Sequence, residues 1–282
     1  MKLFKRRTRS GDDQEMSFIE HLDVLRGHLF KSALAVAIGA VVIAVYNKFI
    51  VQRILMGPTH ADFWTYKTLC SLSQQWGLGN KLCMAEIHLK MQSNVVSGQF
   101  DTYFNIILIG GFIVAFPYVF WQFWKFTKPA LKEKELRNTR GVIFWVSMLF
   151  FLGVLFGYFV IAPYTISFFA NFQLDSNIEN IWTIGSYFTA IAQIVLGAGL
   201  AFQLPLAMYF LAKIGVVSAS YLRRVRKYAI LIIVIVASII TPPDMLSTIV
   251  ASVPLILLYE ISVLLCARVE KKKAKEDAAL WD

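Results

Sequence analysis

Charged residues are scarce in this sequence: they make up 16% of its 282 residues, whereas 57% are hydrophobic. So little charge cannot cover a water-soluble globule, and the mean hydropathy of +0.58 points the same way. The shortage excludes a soluble domain and favours a bilayer protein. The net charge of +10 does not indicate nucleic-acid binding, because the basic residues lie in clusters between apolar runs and not on one face of a soluble fold.

Motifs for catalysis and for phosphate binding are also missing. The sequence contains no H-E-x-x-H, no G-x-S-x-G and no glycine-rich phosphate loop, and its four histidines are too scattered to chelate a metal. Hydrolysis at membrane depth needs a nucleophile with a base, or a metal with its ligands. The sequence therefore predicts no enzyme, no cofactor and no metal.

Internal repeats and multiple buried charges, which secondary transporters for small solutes normally carry, are likewise not visible. Such a transporter fits this pattern poorly. It stays open as the alternative function.

Six apolar runs are long enough, or nearly so, to cross a membrane as helices. A helix needs about 20 residues to span the ~30 Å hydrocarbon core. The predicted spans are residues 29–46, 103–123, 142–161, 187–212, 228–240 and 246–266. The sequence thus predicts an all-α polytopic membrane protein with six transmembrane helices, of which the fifth is short.

The basic residues predict the orientation. Of the 28 Lys and Arg residues, 23 lie in the N-terminal tail with the start of the first helix (up to Lys31), in the loop 125–140, in the segment 213–227 and in the C-terminal tail. Positive loops face the cytoplasm, so both termini are expected there. The expected divisions are a cytoplasmic segment 1–28, a transmembrane domain 29–267 and a basic tail 268–282. Within the domain, 51–98 is a long outward loop and 124–141 a cytoplasmic loop.

The basic N-terminus is interpreted as an anchor and not as a targeting peptide. Bulky residues follow the first apolar run where a cleavable signal would carry small ones. Five acidic residues between Asp12 and Asp23 separate Arg6-Arg7 from that run, which argues against a twin-arginine export signal in this chain.

Three cysteines are present. Cys70 and Cys83 lie in the expected outward loop, where an oxidising compartment permits a disulfide. The sequence alone does not decide whether this disulfide forms.

Four motifs in order along the chain resemble one family. They are MSFIEHLDVLRGHL at 16–29, WKFTKPALKEKE at 124–135, FQLP at 202–205 and TPPDMLS at 241–247, before a last helix containing LLYEISV. Together they resemble the TatC subunit of the twin-arginine protein translocase over nearly the whole chain.

The resemblance implies a receptor in the bacterial inner membrane that binds the twin-arginine signal peptides of folded proteins. The implied partners are single-span proteins of the TatA and TatB type, further copies of the chain in a larger complex, and membrane lipids. The implied energy source is the proton-motive force.

Glu135 aligns with the family's loop glutamate and Phe126 with a nearby aromatic. Carboxylates suit paired arginines, because a guanidinium donates two parallel, charge-assisted hydrogen bonds to them. Pro129 is expected to bend the chain so that the carboxylate is exposed. The alternative is that Glu135 is a solvated residue paired with a neighbouring Lys or Arg.

The N-terminal motif departs from the family pattern E-H-L-x-E-L-R, because Val24 replaces its second glutamate while Leu25 and Arg26 match. On a helix, Glu20 lies one turn before Val24 on the same face, and Asp23 lies about 100° round the axis. Glu20 is thus the better-placed substitute. The alternative is that Glu20 and Asp23 only favour a helix N-terminus.

Three polar positions lie deeper in the apolar runs. Gln203 occupies a position where the family often has Glu, and it is expected to pack against another helix through its amide. Asp244 is expected to cap the last helix. Glu260 is expected to face a neighbouring helix, with no partner indicated.

The fifth span has 13 residues and covers about 20 Å, well short of the ~30 Å core. Arg223 to Lys227 limit its inner end and Pro242-Pro243 its outer end. We expect the mismatch to mark the face where a partner helix docks, near Ile239 and Ile240.

Overall fold

The computed structural model describes residues 18–77, 79, 83, 89–128, 141–175, 177, 179–242 and 244–278, with only the backbone for 18–21, 273 and 275–278. The helices are α1 (Phe18–Val45), α2 (Trp64–Gln75), α3 (Gly98–Thr127), α4 (Val142–Phe156), α5 (Ala162–Asn171), α6 (Ile184–Ala201), α7 (Leu204–Ile214), α8 (Ala219–Arg224), α9 (Arg226–Ile240) and α10 (Met245–Ala278). Short helical segments also cover Asn47–Phe49, Ile50–Leu55, Gly57–Thr59 and Gly157–Ile161. Two strands, β1 (Lys90–Gln92) and β2 (Ile181–Thr183), pair in parallel.

Five helices or helix pairs in the described part of the chain are long and apolar enough to cross a membrane. They cover Leu22–Val45, Gly98–Thr127, Val142–Asn171, Ile184–Ile214 and Met245–Lys272. The remaining predicted span is α9, whose 15 residues extend about 22 Å. The structure thus confirms a helical membrane protein, and α9 is short as expected.

Helices α1 and α3 pack antiparallel along a line of contact, called a glycine seam, where glycines bring the two backbones together. A Cβ at Gly39 would lie 2.6 Å from the carbonyl oxygen of Gly111, and a Cβ at Gly111 would lie 2.6 Å from the amide nitrogen of Ala40. A Cβ at Gly110 would lie 3.1 Å from the side chain of Ile43. Small residues let helix backbones approach closely in a membrane, and Gly39 and Gly111 do so at this contact.

A second seam joins α4 to α6. A Cβ at Gly153 would meet the carbonyl oxygen of Ala198 at 2.6 Å, and a Cβ at Gly199 would meet the Phe150 ring at 2.9 Å. Phe150 is fully buried and also stacks on Phe116 of α3, with 3.5 Å between ring centroids. These contacts join α4 to both α3 and α6.

The fourth predicted span is broken into α6 and α7. The break falls at Phe202 and Gln203, just before Pro205. Proline has no amide hydrogen and its ring clashes with the preceding turn, so the helix bends there. The sequence prediction of one continuous helix over 187–212 missed this bend.

Two ends of the bundle differ in character. We call the end where α1 begins and α3 ends the basic end, defined by residues 18–28 and 121–128. The opposite end, called the loop end, carries the connections 46–97 and 172–183. Because α1 and α3 are antiparallel, the start of one lies beside the end of the other.

Tyrosine hydroxyls hold the irregular backbone at the loop end. They donate to three carbonyl groups: Tyr66 to Pro58, Tyr158 to Ile54 and Tyr187 to Leu55. Burial raises the pKa of Tyr66, which lies on α2 outside the spans, above its ordinary value. These bonds satisfy carbonyl groups that a regular helix would have paired internally, as burial at the edge of a membrane requires.

Two further links tie the connections together. Cys70 and Cys83 form a disulfide, which confirms the bridge that the sequence left open. Strands β1 and β2 join the first long connection to the second, and Lys90 forms an ion pair with Glu179 at 3.0 Å beside them. The loop end is therefore cross-linked covalently and by hydrogen bonds.

Candidate functional site

The basic end brings the first turns of α1 next to the end of α3. The Nδ1 atom of His28 lies 2.7 Å from the side-chain oxygen of Gln122, a residue 94 positions away. The ring of His28 also contacts that of Phe126 edge-on, with 6.4 Å between centroids. This contact places Phe126 beside the N-terminal motif.

The N-terminal motif presents an open surface. Asp23, Leu25 and Arg26 are exposed, and Val24 keeps 42% of its surface accessible. Glu20 lies on α1 one turn before Val24, and its side chain is outside the described part of the structure. A carboxylate at position 23 can therefore reach a ligand that approaches this end.

The loop that follows α3 lies largely outside the described residues. This applies to Glu135 and Pro129, so the structure assigns them no position. Helix α3 continues through Thr127, so Lys125 and Phe126, which the sequence prediction assigned to the loop, lie in its last turn. The Lys125 ammonium nitrogen lies 3.7 Å from the centroid of the Trp121 ring, one turn earlier on the same helix, in a cation–π contact.

Sequence reasoning missed His28 and Gln122. Gln122 is only 3% exposed although it lies within an apolar run. A buried amide in such a run needs a partner, since an unpaired polar group at membrane depth is costly. That rule singles out Gln122, but the sequence does not reveal that His28 is the partner.

Gln203 packs against α4, as predicted. Its amide nitrogen donates a hydrogen bond of 3.2 Å to the carbonyl oxygen of Val146. Gln203 lies in the break between α6 and α7, two residues before Pro205. The bond ties the broken span to α4 on the same side of the bundle as the loop after α3.

Asp244 caps the last helix, as predicted. Its Oδ1 atom accepts a 2.7 Å hydrogen bond from the amide of Ser247, and its backbone carbonyl accepts one from Thr248. Nearby, the hydroxyl of Thr165 donates to that of Ser247 at 2.8 Å. This polar cluster fastens the start of α10 to α5 at the loop end.

Glu260 has the partner that the sequence did not indicate. Both of its oxygens contact the guanidinium of Arg226, at 2.9 and 3.0 Å. Close by, the hydroxyl of Tyr259 donates to the carbonyl of Leu222. The start of α9 is thus attached to α10 by a paired ionic contact, which is partly exposed and therefore worth about 1 kcal/mol or less.

The two isoleucines at the end of α9 face different ways. Ile239 is 63% exposed, whereas Ile240 is 8% exposed and packs against Gly197 of α6. Ile240 therefore lies in the helix interface and cannot contribute to an accessible docking face. Ile239 continues an exposed stripe that includes Tyr228, Leu231, Ile232 and Ile235.

Together these features define a class: a polytopic helical membrane protein with an open polar and aromatic site at one end of its bundle. The described residues include no group of three or more His, Cys, Asp or Glu that could hold a metal ion.

Comparison with known proteins identifies the family. The family model of the Sec-independent protein translocase protein (TatC) matches residues 20–254. A TatC of Blattabacterium sp. subsp. Periplaneta americana is 40% identical over 93% of this chain and 99% of its own length. A TatC of Desulforapulum autotrophicum is 34% identical over 95% of this chain and 90% of its own. The chain belongs to the TatC family, whose members are multi-pass proteins of the bacterial inner membrane.

Solved structures agree. A crystal structure described as the twin arginine translocase receptor TatC superimposes with a TM-score of 0.66 at 27% identity, covering 89% of this chain and all of the other. The same receptor in the detergent DDM gives 0.69 at 28% identity, over 87% and 99%. The expected family is therefore confirmed in sequence and in fold.

Proposed function

We propose that this chain is the signal-peptide receptor and core subunit of a translocase that exports folded proteins carrying twin-arginine signals. The observation that carries the proposal is the basic end, where the exposed N-terminal motif and Phe126 lie together in a member of the TatC family. The receptor does no catalysis of its own, and the proton-motive force drives transport. Because the chain belongs to a protein translocase family, the alternative function as a small-solute transporter has no support.

The proposed topology has six spans with both termini in the cytoplasm. Helix α9 is the fifth of these spans, although it covers only about 22 Å. Its start, Arg226, is paired with Glu260, and the last turns of α10 carry Arg268 and the lysines between 271 and 275. Because positive segments stay on the cytoplasmic side, the basic end faces the cytoplasm and the cross-linked loop end faces outward.

Recognition of the signal rests on carboxylates beside an aromatic. Glu135 in the loop and Glu20 or Asp23 on α1 bind the two guanidinium groups, and Phe126 supports the neighbouring apolar residues of the peptide. The lysines and arginines of 125–140 anchor the loop to anionic lipid, at about 1 kcal/mol for each charge near the surface.

A strain lacking this chain tests the proposal. A reporter carrying a twin-arginine signal is expected to stay in the cytoplasm of that strain, while a reporter for the Sec pathway is still exported. Normal export of the twin-arginine reporter would refute the assignment. If both reporters are exported and the strain fails to take up one small solute, the result would support the alternative function as a small-solute transporter.

The N-terminal carboxylates are predicted to differ in importance. Glu20→Gln is expected to weaken crosslinking of a twin-arginine peptide about tenfold, and Asp23→Asn less, because Glu20 shares the helix face of Val24. Val24→Glu is expected to retain binding, since that position is 42% exposed. Photo-crosslinking of the peptide to purified receptor measures all three. Equal effects of the first two variants would contradict the assignment of Glu20.

We propose further that a single-span partner of the TatA type docks on α9. The exposed residues Tyr228, Leu231, Ile232, Ile235 and Ile239 follow one another at helical spacing and form one apolar stripe. A second helix laid on this stripe would relieve the mismatch between the short helix and the bilayer.

A cysteine at Ile239 is therefore expected to crosslink to the partner span. Leu152→Cys, on the exposed surface of α4 at 52% accessibility, is the matched control, and Ile240→Cys tests the buried neighbour. We expect at least fivefold more product from Ile239→Cys than from either. Equal or stronger crosslinking from Leu152→Cys would place the partner elsewhere.

A further inference from the structure

An apolar cavity of about 950 Å³ opens on the membrane face of the bundle. Its walls come from the segment Ile50–Leu55 and from helices α3, α4 and α6. Ile109 and Ile113 of α3, Leu155 of α4 and Leu196 of α6 supply much of the lining. The spans that form these walls leave the cavity inside the hydrocarbon region.

The depth of the cavity corresponds to one leaflet. It extends along α3 from Thr102, near the loop end, to Ile113, which is 11 residues or about 16 Å further on. Half of a ~30 Å hydrocarbon core is about 15 Å. The cavity therefore begins at the rim on the loop side and ends near the middle of the bilayer.

A single charge stands at this rim. Among the described residues, Arg53 is the only charged residue that lines the cavity. It is exposed and forms no ion pair with any of those residues. Its backbone segment is held by two hydroxyls, since Tyr158 donates to Ile54 and Tyr187 to Leu55. Thr102 and Asn105 add polar groups to the lining.

We infer that this cavity binds one phospholipid, with an acyl chain against the apolar walls and the phosphate on Arg53. A guanidinium donates paired hydrogen bonds to a phosphate, and this pairing strengthens where water is displaced. The apolar depth matches an acyl chain of one leaflet. With the orientation proposed above, this leaflet is the outer one.

The charge at the rim favours a lipid over a helix of a partner protein. A phosphate accepts paired hydrogen bonds from the Arg53 guanidinium. A transmembrane helix has its backbone groups already paired internally and brings no such anion to this position.

The test uses the purified full-length protein, stripped of lipid in a detergent without phosphate. Phosphatidylglycerol is titrated in and bound copies are counted by native mass spectrometry, beside diacylglycerol with the same chains and inorganic phosphate as a competitor. We expect one tightly bound phosphatidylglycerol, binding at least tenfold tighter than diacylglycerol, and no competition by millimolar phosphate.

Variants separate the headgroup from the chain. Arg53→Gln is expected to weaken the binding of phosphatidylglycerol about tenfold and to leave the binding of diacylglycerol unchanged. Lys48 is an exposed charged residue outside the cavity lining, and Lys48→Gln is expected to change the binding of neither lipid. Ala192→Trp places a large side chain in the cavity and is expected to weaken the binding of both lipids at least tenfold. If that variant does not fold, Ala192→Leu is measured instead, with a loss of about threefold.

Two outcomes would overturn the inference. One is an equal loss of phosphatidylglycerol in Arg53→Gln and Lys48→Gln, which would indicate general surface charge. The other is unchanged lipid binding in both Ala192 variants; if these variants also lose crosslinking to a single-span partner, the occupant is a helix. No cargo or signal peptide is present, so the result is independent of the receptor function.

Discussion

Replacing Gly111 by leucine is expected to abolish accumulation of folded protein. A Cβ at this position would lie 2.6 Å from the Ala40 nitrogen, 2.8 Å from the Ala40 Cα and 2.9 Å from the Val36 carbonyl oxygen. These are backbone atoms of α1 and cannot rotate away, so the two helices must separate. Only 11% of the α1 span is buried within the chain, and much of that packing lies on this seam. A separated α1 would therefore lose most of its attachment.

Gly111→Ala is expected to be milder, with a loss of about 1–3 kcal/mol, typical of overpacking. The matched control is Gly27→Ala on the same α1 helix, where a Cβ would meet nothing within 4 Å. Its expected effect is neutral to about 1 kcal/mol stabilising, from higher helix propensity. Thermal unfolding followed by size-exclusion chromatography in detergent measures all three. A melting temperature for Gly111→Leu equal to that of the unchanged protein would show that close contact between α1 and α3 at Gly111 is not needed for stability.

Glu135→Gln is expected to lower twin-arginine peptide binding by roughly 10- to 100-fold. The substitution keeps the size of the side chain but removes the charge, and hydrogen bonds to charged groups are worth about 1.5–3 kcal/mol. At 1.4 kcal/mol for each factor of ten, that range corresponds to the stated loss. Binding of a fluorescent signal peptide to purified receptor measures it, and export of the reporter should fall in parallel.

Glu133→Gln is the matched control, because Glu133 lies two residues earlier in the same basic loop. Both variants remove one negative charge from 125–140, so a general electrostatic effect would make them equal. We expect Glu133→Gln to stay within about twofold of the unchanged receptor. A twin-lysine peptide should lose the distinction between the two variants, since an ammonium does not make the paired contact. Equal losses with the twin-arginine peptide would leave Glu135 without a specific role.

Several features of the candidate site were predictable because local chemistry dictates them. Asp244 follows a proline pair and precedes an apolar run, which is the pattern of a helix cap, and it bonds to the Ser247 amide. Gln203 is an amide in an apolar run, so it had to find a partner on another helix. The departure at Val24 was visible from the motif alone.

Other features depend on how the helices are arranged. His28 and Gln122 are 94 residues apart, and Arg226 and Glu260 are 34 apart, so no local pattern pairs them. Ile239 and Ile240 are adjacent and chemically equal, yet one is exposed and the other buried. Which face of α9 is free depends on where Gly197 lies.

The sequence by itself determined that this chain is a helical membrane protein of the TatC family, because apolar length and the four motifs are properties of the chain. It also determined the short α9, since charges and prolines limit that helix at both ends. Only the tertiary structure decided the pairing of His28 with Gln122, the burial of Ile240 against Gly197, and the cavity beside Arg53. These depend on distances between segments far apart in sequence, which close packing at the glycine seams brings together.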